Sequence, residues 1–153
     1  MKTTVSNILK LIREGKSDPK IRDTAVGIIR VKNLASTDYP NVIVAIASYV
    51  KNNVMFVRDP YRIDEVFGAA ETLTRGYSDC EDQSVTAGSL FQSIGLPVRV
   101  VIVSKTGKIW DHVFLRVGYP PDSPTRWVSV DTTISPPSGR EIPYMDSKVY
   151  EVR

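Results

Sequence analysis

Cys80 and His112 are the sole cysteine and the sole histidine of this chain, and each stands where thiol chemistry would need it. Cys80 follows the turn Gly76-Tyr77-Ser78-Asp79 and opens a segment with helical apolar spacing. His112 begins a strand-like run, His112-Val113-Phe114-Leu115-Arg116-Val117, and Asp131 ends the next one, Trp127-Val128-Ser129-Val130-Asp131. A thiol, an imidazole and a carboxylate in this order fit a cysteine nucleophile, its general base and an acid that orients the base. A helix N-terminus and a nearby imidazolium would each draw the Cys80 pKa down from about 8.5 toward ~3.5–7.5. The N–H of Cys80, lacking an intrahelical partner, would face an oxyanion, a role worth about 2.7–4 kcal/mol per donor. For a second donor, Asn52, Asn53, Tyr61 and Tyr77 are upstream candidates. Asp131 would take a hydrogen bond from the second imidazole nitrogen, with adjacent antiparallel strands setting His112 and Asp131 side by side on one sheet face.

Positioning those residues falls to a helical half and a sheet half. Val5, Ile8, Leu9 and Ile12 share one helical face, and Gly15 with Ser17-Asp18-Pro19 ends that helix. Ile21, Ala25, Ile28 and Ile29 repeat the pattern after Pro19. A third helix is expected after Ser36-Thr37-Asp38, burying Val42, Ala45, Ile46, Tyr49 and Val50, and a short one over Val66–Leu73. The segment Val54–Val57 is too short to assign. The helix from about Glu81 to Ser93 has Val85, Gly88, Leu90 and Phe91 inward, a cap from Ser78 or Asp79, and a stop at Gly95-Leu96-Pro97. Strands are expected over Val98–Val103, Ile109–Val117, Arg126–Asp131 and, near the end, Lys148–Val152. Helices followed by antiparallel hairpins make an α+β domain. One domain over 1–153 is expected, helical to about residue 95 and sheet-forming from about 97.

Composition narrows the class. At 153 residues a chain buries roughly 68–70% of its unfolded surface and needs neither disulfide nor metal to fold. A lone thiol excludes an intrachain disulfide and fits a reducing compartment. The amino terminus lacks the pattern of a secretory signal, and no apolar run nears the ~20 residues of a membrane span. These features read as a soluble, cytoplasmic protein without a membrane partner. A net charge of +3, from scattered lysines and arginines, gives no nucleic-acid footprint.

The segment from Thr72-Leu73-Thr74-Arg75-Gly76-Tyr77-Ser78-Asp79-Cys80-Glu81-Asp82-Gln83-Ser84 through Gly95-Leu96-Pro97-Val98-Arg99 resembles the transglutaminase-like superfamily. Asp111-His112-Val113-Phe114 and Trp127-Val128-Ser129-Val130-Asp131-Thr132-Thr133 complete the likeness, which covers roughly half the chain. It implies a papain-like core with Cys80, His112 and Asp131 as catalytic residues, of the kind found in prokaryotic and phage cysteine peptidases. It also implies acyl transfer through a thioester, with no metal or organic cofactor. Ser78 stands in place of a common glycine, altering the turn. Thr132 stands in place of a common proline, changing local rigidity.

Blander readings compete with each assignment. Free cysteine behaves as a small hydrophobe, yet Ser78, Asp79, Glu81 and Asp82 surround Cys80 with polarity. Asp131 alone would read as a cap on the Thr132-Thr133 turn. Asp79, Glu81 and Asp82 suit helix capping better than a metal, since no C-x₂-C pair accompanies them. Trp110 and Trp127 would wall a cleft or pack on the sheet. The expected substrate is a peptide or protein with an amide bond or glutamine side chain. Water as acceptor makes a protease or amidase; a lysine amine makes a cross-linking enzyme. A non-catalytic interaction or scaffold module is the other reading.

Overall fold

The computed structural model describes residues 2–58 and 66–152, with side chains from Val5 onward. Three helices come first: α1 (Lys2–Lys16), α2 (Pro19–Val31) and α3 (Tyr39–Asn53). Pro19 occupies the first turn of α2, and the Asp18 carboxylate accepts the Lys20 N–H at its start. A short strand β1 (Met55–Phe56) follows, then α4 (Ala69–Arg75), β2 (Tyr77–Ser78) and α5 (Cys80–Ser93). The sheet half is β3 (Val98–Ser104), β4 (His112–Tyr119), β5 (Arg126–Val130) and β6 (Asp146–Glu151), antiparallel throughout in the order β5-β4-β3-β6. The architecture is α+β, with the amino-terminal helices and a central helix packed on an antiparallel sheet.

Helix α5 is the centre of the molecule. From Asp82 to Gln92 every residue is buried, because α1 to α4 surround it on one side and the sheet on the other. The apolar spacing exposes only part of this, since Gln83, Ser84, Thr86 and Ser89 are as enclosed as Leu90. Thr86 satisfies its hydroxyl on the Asp82 carbonyl at 2.8 Å, as a threonine in a helix interior can. Small residues bring α1 against α5: a Cβ on Gly88 would meet Ile12 at 2.9 Å, and one on Gly15 would meet the Ser89 hydroxyl at 2.1 Å. Leu90 and Phe91 are fully buried here, and truncating either to alanine would cost about 2–5 kcal/mol.

Alternation divides β3 and β4 between two apolar clusters. Val98, Val100, Ile102, Val113, Leu115 and Val117 join the helical core, whereas Val101, Val103 and Phe114 form a smaller cluster with Ile142 and Tyr144. Arg116 clips that second face, pairing with Glu141 at 2.9 Å and reaching the Tyr144 hydroxyl at 3.2 Å.

Several details differ from the sequence expectation, among them the last strand, which runs over Asp146–Glu151 rather than Lys148–Val152. Residues 66–68 precede α4 rather than join it, because Asp82 takes the Phe67 N–H at 2.8 Å. Ile109 to Asp111 stay outside β4, where the Asp111 carboxylate instead caps the turn at Lys105. The turn before Cys80 contains a two-residue parallel ladder, Met55 opposite Tyr77 and Phe56 opposite Ser78, too short to leave a period.

Candidate active site

Cys80 is the first residue of α5, and the helix begins there because Asp79 caps it. The Asp79 carboxylate accepts the N–H groups of Glu81 and Asp82, each at 3.0 Å. The cap therefore leaves the Cys80 N–H out, at the end of the helix where backbone donors lack intrahelical acceptors. Packing α5 onto β4 brings the Cys80 sulfur to the Val113 backbone, which hydrogen-bonds it, and into the field of Asp131.

His112 and Asp131 meet directly. The imidazole Nε2 lies 2.7 Å from Asp131 Oδ2, and both residues are buried, at 6% and 2% exposed. The register of β4 and β5 sets Leu115 opposite Val130, so Asp131 sits one position past the paired end of β5. His112 reaches it diagonally, a separation that a long side chain spans. The other oxygen, Oδ1, accepts the Thr133 N–H at 3.1 Å and the Thr133 hydroxyl at 2.6 Å. Asp131 thus caps the turn and bonds the imidazole at once, with a different oxygen for each. Burial pushes its carboxyl pKa up, but the His112 and Thr133 bonds outweigh burial and hold it below the ordinary carboxylate value. An ionised Asp131 only accepts, so Nε2 carries a proton, and Nδ1 is the acceptor nitrogen of the neutral ring.

The thiol departs from expectation. Its pKa is pushed up to about 12, first by burial, then by the charges of Asp79 and Glu81, with the Val113 hydrogen bond opposing and Asp131 adding to the rise. The helix terminus does not prevail, because burial penalises the anion and the acids that complement the dipole also repel a thiolate. Cys80 is therefore a neutral thiol at pH 7, not half of a resting ion pair. Asp82 is perturbed as well. Its pKa rises to about 7, chiefly by burial, with the Phe67 N–H and the Arg75 charge working against the neighbouring Asp79.

The remaining candidates separate. Tyr77 is 48% exposed and lies under the Arg75 guanidinium, 4.5 Å from its ring centroid. Asn52 and Asn53 are exposed, and the Asn53 amide donates back to the Tyr49 carbonyl. Tyr61 lies outside the described residues. Trp110 and Trp127 are half-buried on the sheet, covered by Lys148 at 4.9 Å and Arg99 at 3.7 Å. A depression between α2 and α4, lined by Lys20, Thr24, Glu71 and Thr74, contains none of the three residues. Among the described residues no cluster of His, Cys, Asp and Glu is suited to a metal ion, and no helix is long and apolar enough to cross a membrane.

One contact escaped the sequence reading, while the cap it named is present. Thr133 anchors Asp131, and Thr132 donates its hydroxyl to the Gln83 side chain on α5. The Thr132 hydroxyl does more than change local rigidity, since it ties the loop after Asp131 to α5, the helix that Cys80 opens. Both threonines lie in the aspartate block, but only the folded loop aims their hydroxyls.

Solved structures share this architecture. Legionella pneumophila LapG aligns with a TM-score of 0.56 at 16% identity, over 96% of this chain and 76% of that one. A candidate cysteine protease from Cytophaga hutchinsonii aligns with a TM-score of 0.56 at 13% identity, over 88% of this chain. The chain spans 51% of that protein's length. A TGase aligns with a TM-score of 0.51 at 20% identity, over 95% of this chain and 36% of that one. At such identities the likeness is one of fold. No curated protein matches the chain. The core model of the transglutaminase-like superfamily matches residues 29–132, a span that holds α5, β4 and the His112–Asp131 pair, and the chain belongs to that superfamily.

Proposed function

We propose that this chain is a cysteine-dependent acyl-transfer enzyme that hydrolyses peptide or amide bonds, a thiol protease or amidase. The observation that carries the reading is the buried 2.7 Å contact between His112 and Asp131, one residue from the backbone that hydrogen-bonds the Cys80 sulfur. In this reading Nδ1 of His112 takes the Cys80 proton as sulfur attacks the substrate carbonyl carbon, and the carbonyl oxygen becomes an oxyanion facing the Cys80 N–H. Collapse expels the amine, which takes the proton from His112 and leaves a thioester. Water then attacks, again giving its proton to His112, and the acid departs from a regenerated thiol. Asp131 holds the tautomer and stabilises the imidazolium in each half. A neutral resting thiol suits this sequence, because the charge pair arises only as the bond forms. A lone reduced thiol suits the cytoplasm.

The same neutral thiol favours a second reading, a non-catalytic interaction module. Incubation with a peptide library in ¹⁸O-water, with and without an added primary amine, separates the cases. Cys80-dependent ¹⁸O in new carboxyls supports hydrolysis. Cys80-dependent amine incorporation moves the assignment to cross-linking, and neither product from the native chain sinks the enzyme reading.

A further inference from the structure

Thr132 follows the acid, and Gln83 lies three residues after Cys80 on α5. Residues spaced this way on a helix share a face, so the Gln83 side chain lies on the side of α5 that carries the nucleophile. Its Oε1 accepts the Thr132 hydroxyl proton. Gln83 is 1% exposed and Thr132 6%, so no bulk water competes for that bond. Among the described residues the Gln83 amide has no other side-chain partner, since its Nε2 is buried without one. The amide is thus anchored through Thr132 alone. Two polar groups in so dry a place cost more than apolar side chains of similar volume unless they are paired. Their placement adds specificity of register, not burial.

We propose that Gln83 and Thr132 form a positioning clamp that sets Asp131, and through it the His112 ring, in register with Cys80. The inference rests on the cysteine mechanism proposed above. It assigns the pair no contact with substrate. Neither the α5 cap nor the Thr133 bonds span this gap, because the cap is internal to α5 and Thr133 is internal to the loop. The Ser84 hydroxyl also crosses from α5 to the sheet, but to the Val113 carbonyl at 3.5 Å, at the long limit of a hydrogen bond.

The solitary histidine makes a direct test possible. Long-range ¹H–¹⁵N correlation at a pH where the ring is neutral reads the Nδ1 and Nε2 shifts of one imidazole. The native chain is expected to show widely separated shifts, the mark of a single Nε2–H tautomer. Thr132→Val and Gln83→Met, both near-isosteric, should narrow that separation as the ring samples both tautomers. They should also lower kcat roughly tenfold or more with KM little changed, as misplacement of a catalytic group does. Thr132→Ser should restore both readouts, and the double variant should be no worse than either single one. Unchanged imidazole shifts in Thr132→Val and Gln83→Met would overturn the clamp, as would a Thr132→Ser chain no better than Thr132→Val. Should one single variant not fold, the other carries the same readouts. If the native chain has no Cys80-dependent turnover, the enzyme reading fails while the imidazole shifts still decide the clamp.

Discussion

The strand side of the site is buried and the helix side half-buried, and the two end in opposite charge states. Asp131 on the strand side is buried, yet its carboxyl is held below the ordinary value by the His112 and Thr133 donors. Cys80 on the helix side meets one backbone hydrogen bond and two neighbouring acids, and its pKa climbs to about 12. Burial opposes charge in both places. The donors decide the outcome, since a buried anion persists only where hydrogen bonds replace water. The comparison teaches that the imidazole is oriented in advance while the thiol waits uncharged.

The largest expected effect erases the helix side. Cys80→Ala should lower kcat by roughly a millionfold, the scale of nucleophile removal in a serine protease, measured as turnover of whichever peptide the library yields. Next, Asp131→Asn should cost about 10⁴-fold in kcat by stabilising the wrong tautomer. That variant should bind substrate normally, and a loss confined to KM would count against the orienting role.

A smaller change would bring the two sides closer. Asp79→Asn keeps the helix cap and removes one charge that opposes the thiolate. Iodoacetamide should label Cys80 slowly at pH 7 in the native chain, and about two- to threefold faster in the variant. The gain stays modest because a less basic thiolate is also a weaker nucleophile. Rapid native labelling well below pH 8 would contradict the neutral thiol.

The subtlest prediction concerns stability against pH. The Asp82 carboxyl is raised to about 7 in the fold, above its unfolded value of about 3.9. The folded state therefore holds its proton more tightly, and that contribution is complete below pH ~4 and lost as pH rises through about 7. Asp131 runs the other way, its contribution being lost as pH falls through its lowered pKa. Asp82→Asn should flatten the decline of Tm between pH 4 and 7 and leave the acid limb in place. A Tm profile parallel to the native one would show that Asp82 is not the group responsible.

Much of the fold was legible because its signals are local. Pro19, Gly95 and the β-branched run at Val98 place helix ends and a strand through backbone sterics that act within a few residues. The burial of α5 was only half legible. Apolar spacing marks one face, but Ser84, Thr86 and Ser89 are enclosed because neighbours arrive from every side, and no period encodes that. The β1–β2 ladder joins residues more than twenty positions apart and leaves no pattern in either segment.

By itself the sequence determined the main helices and strands and the unique chemistry they bear: one thiol at a helix start, one imidazole at a strand start, one acid at a strand end. Only the tertiary structure decided that His112 reaches Asp131 on a diagonal, that Thr132 bonds Gln83, and that Cys80 is neutral. The reason is physical. Helix and strand preferences act through the backbone over a few residues, whereas a pKa or a hydrogen bond depends on distance, burial and charges contributed by segments far apart in the chain.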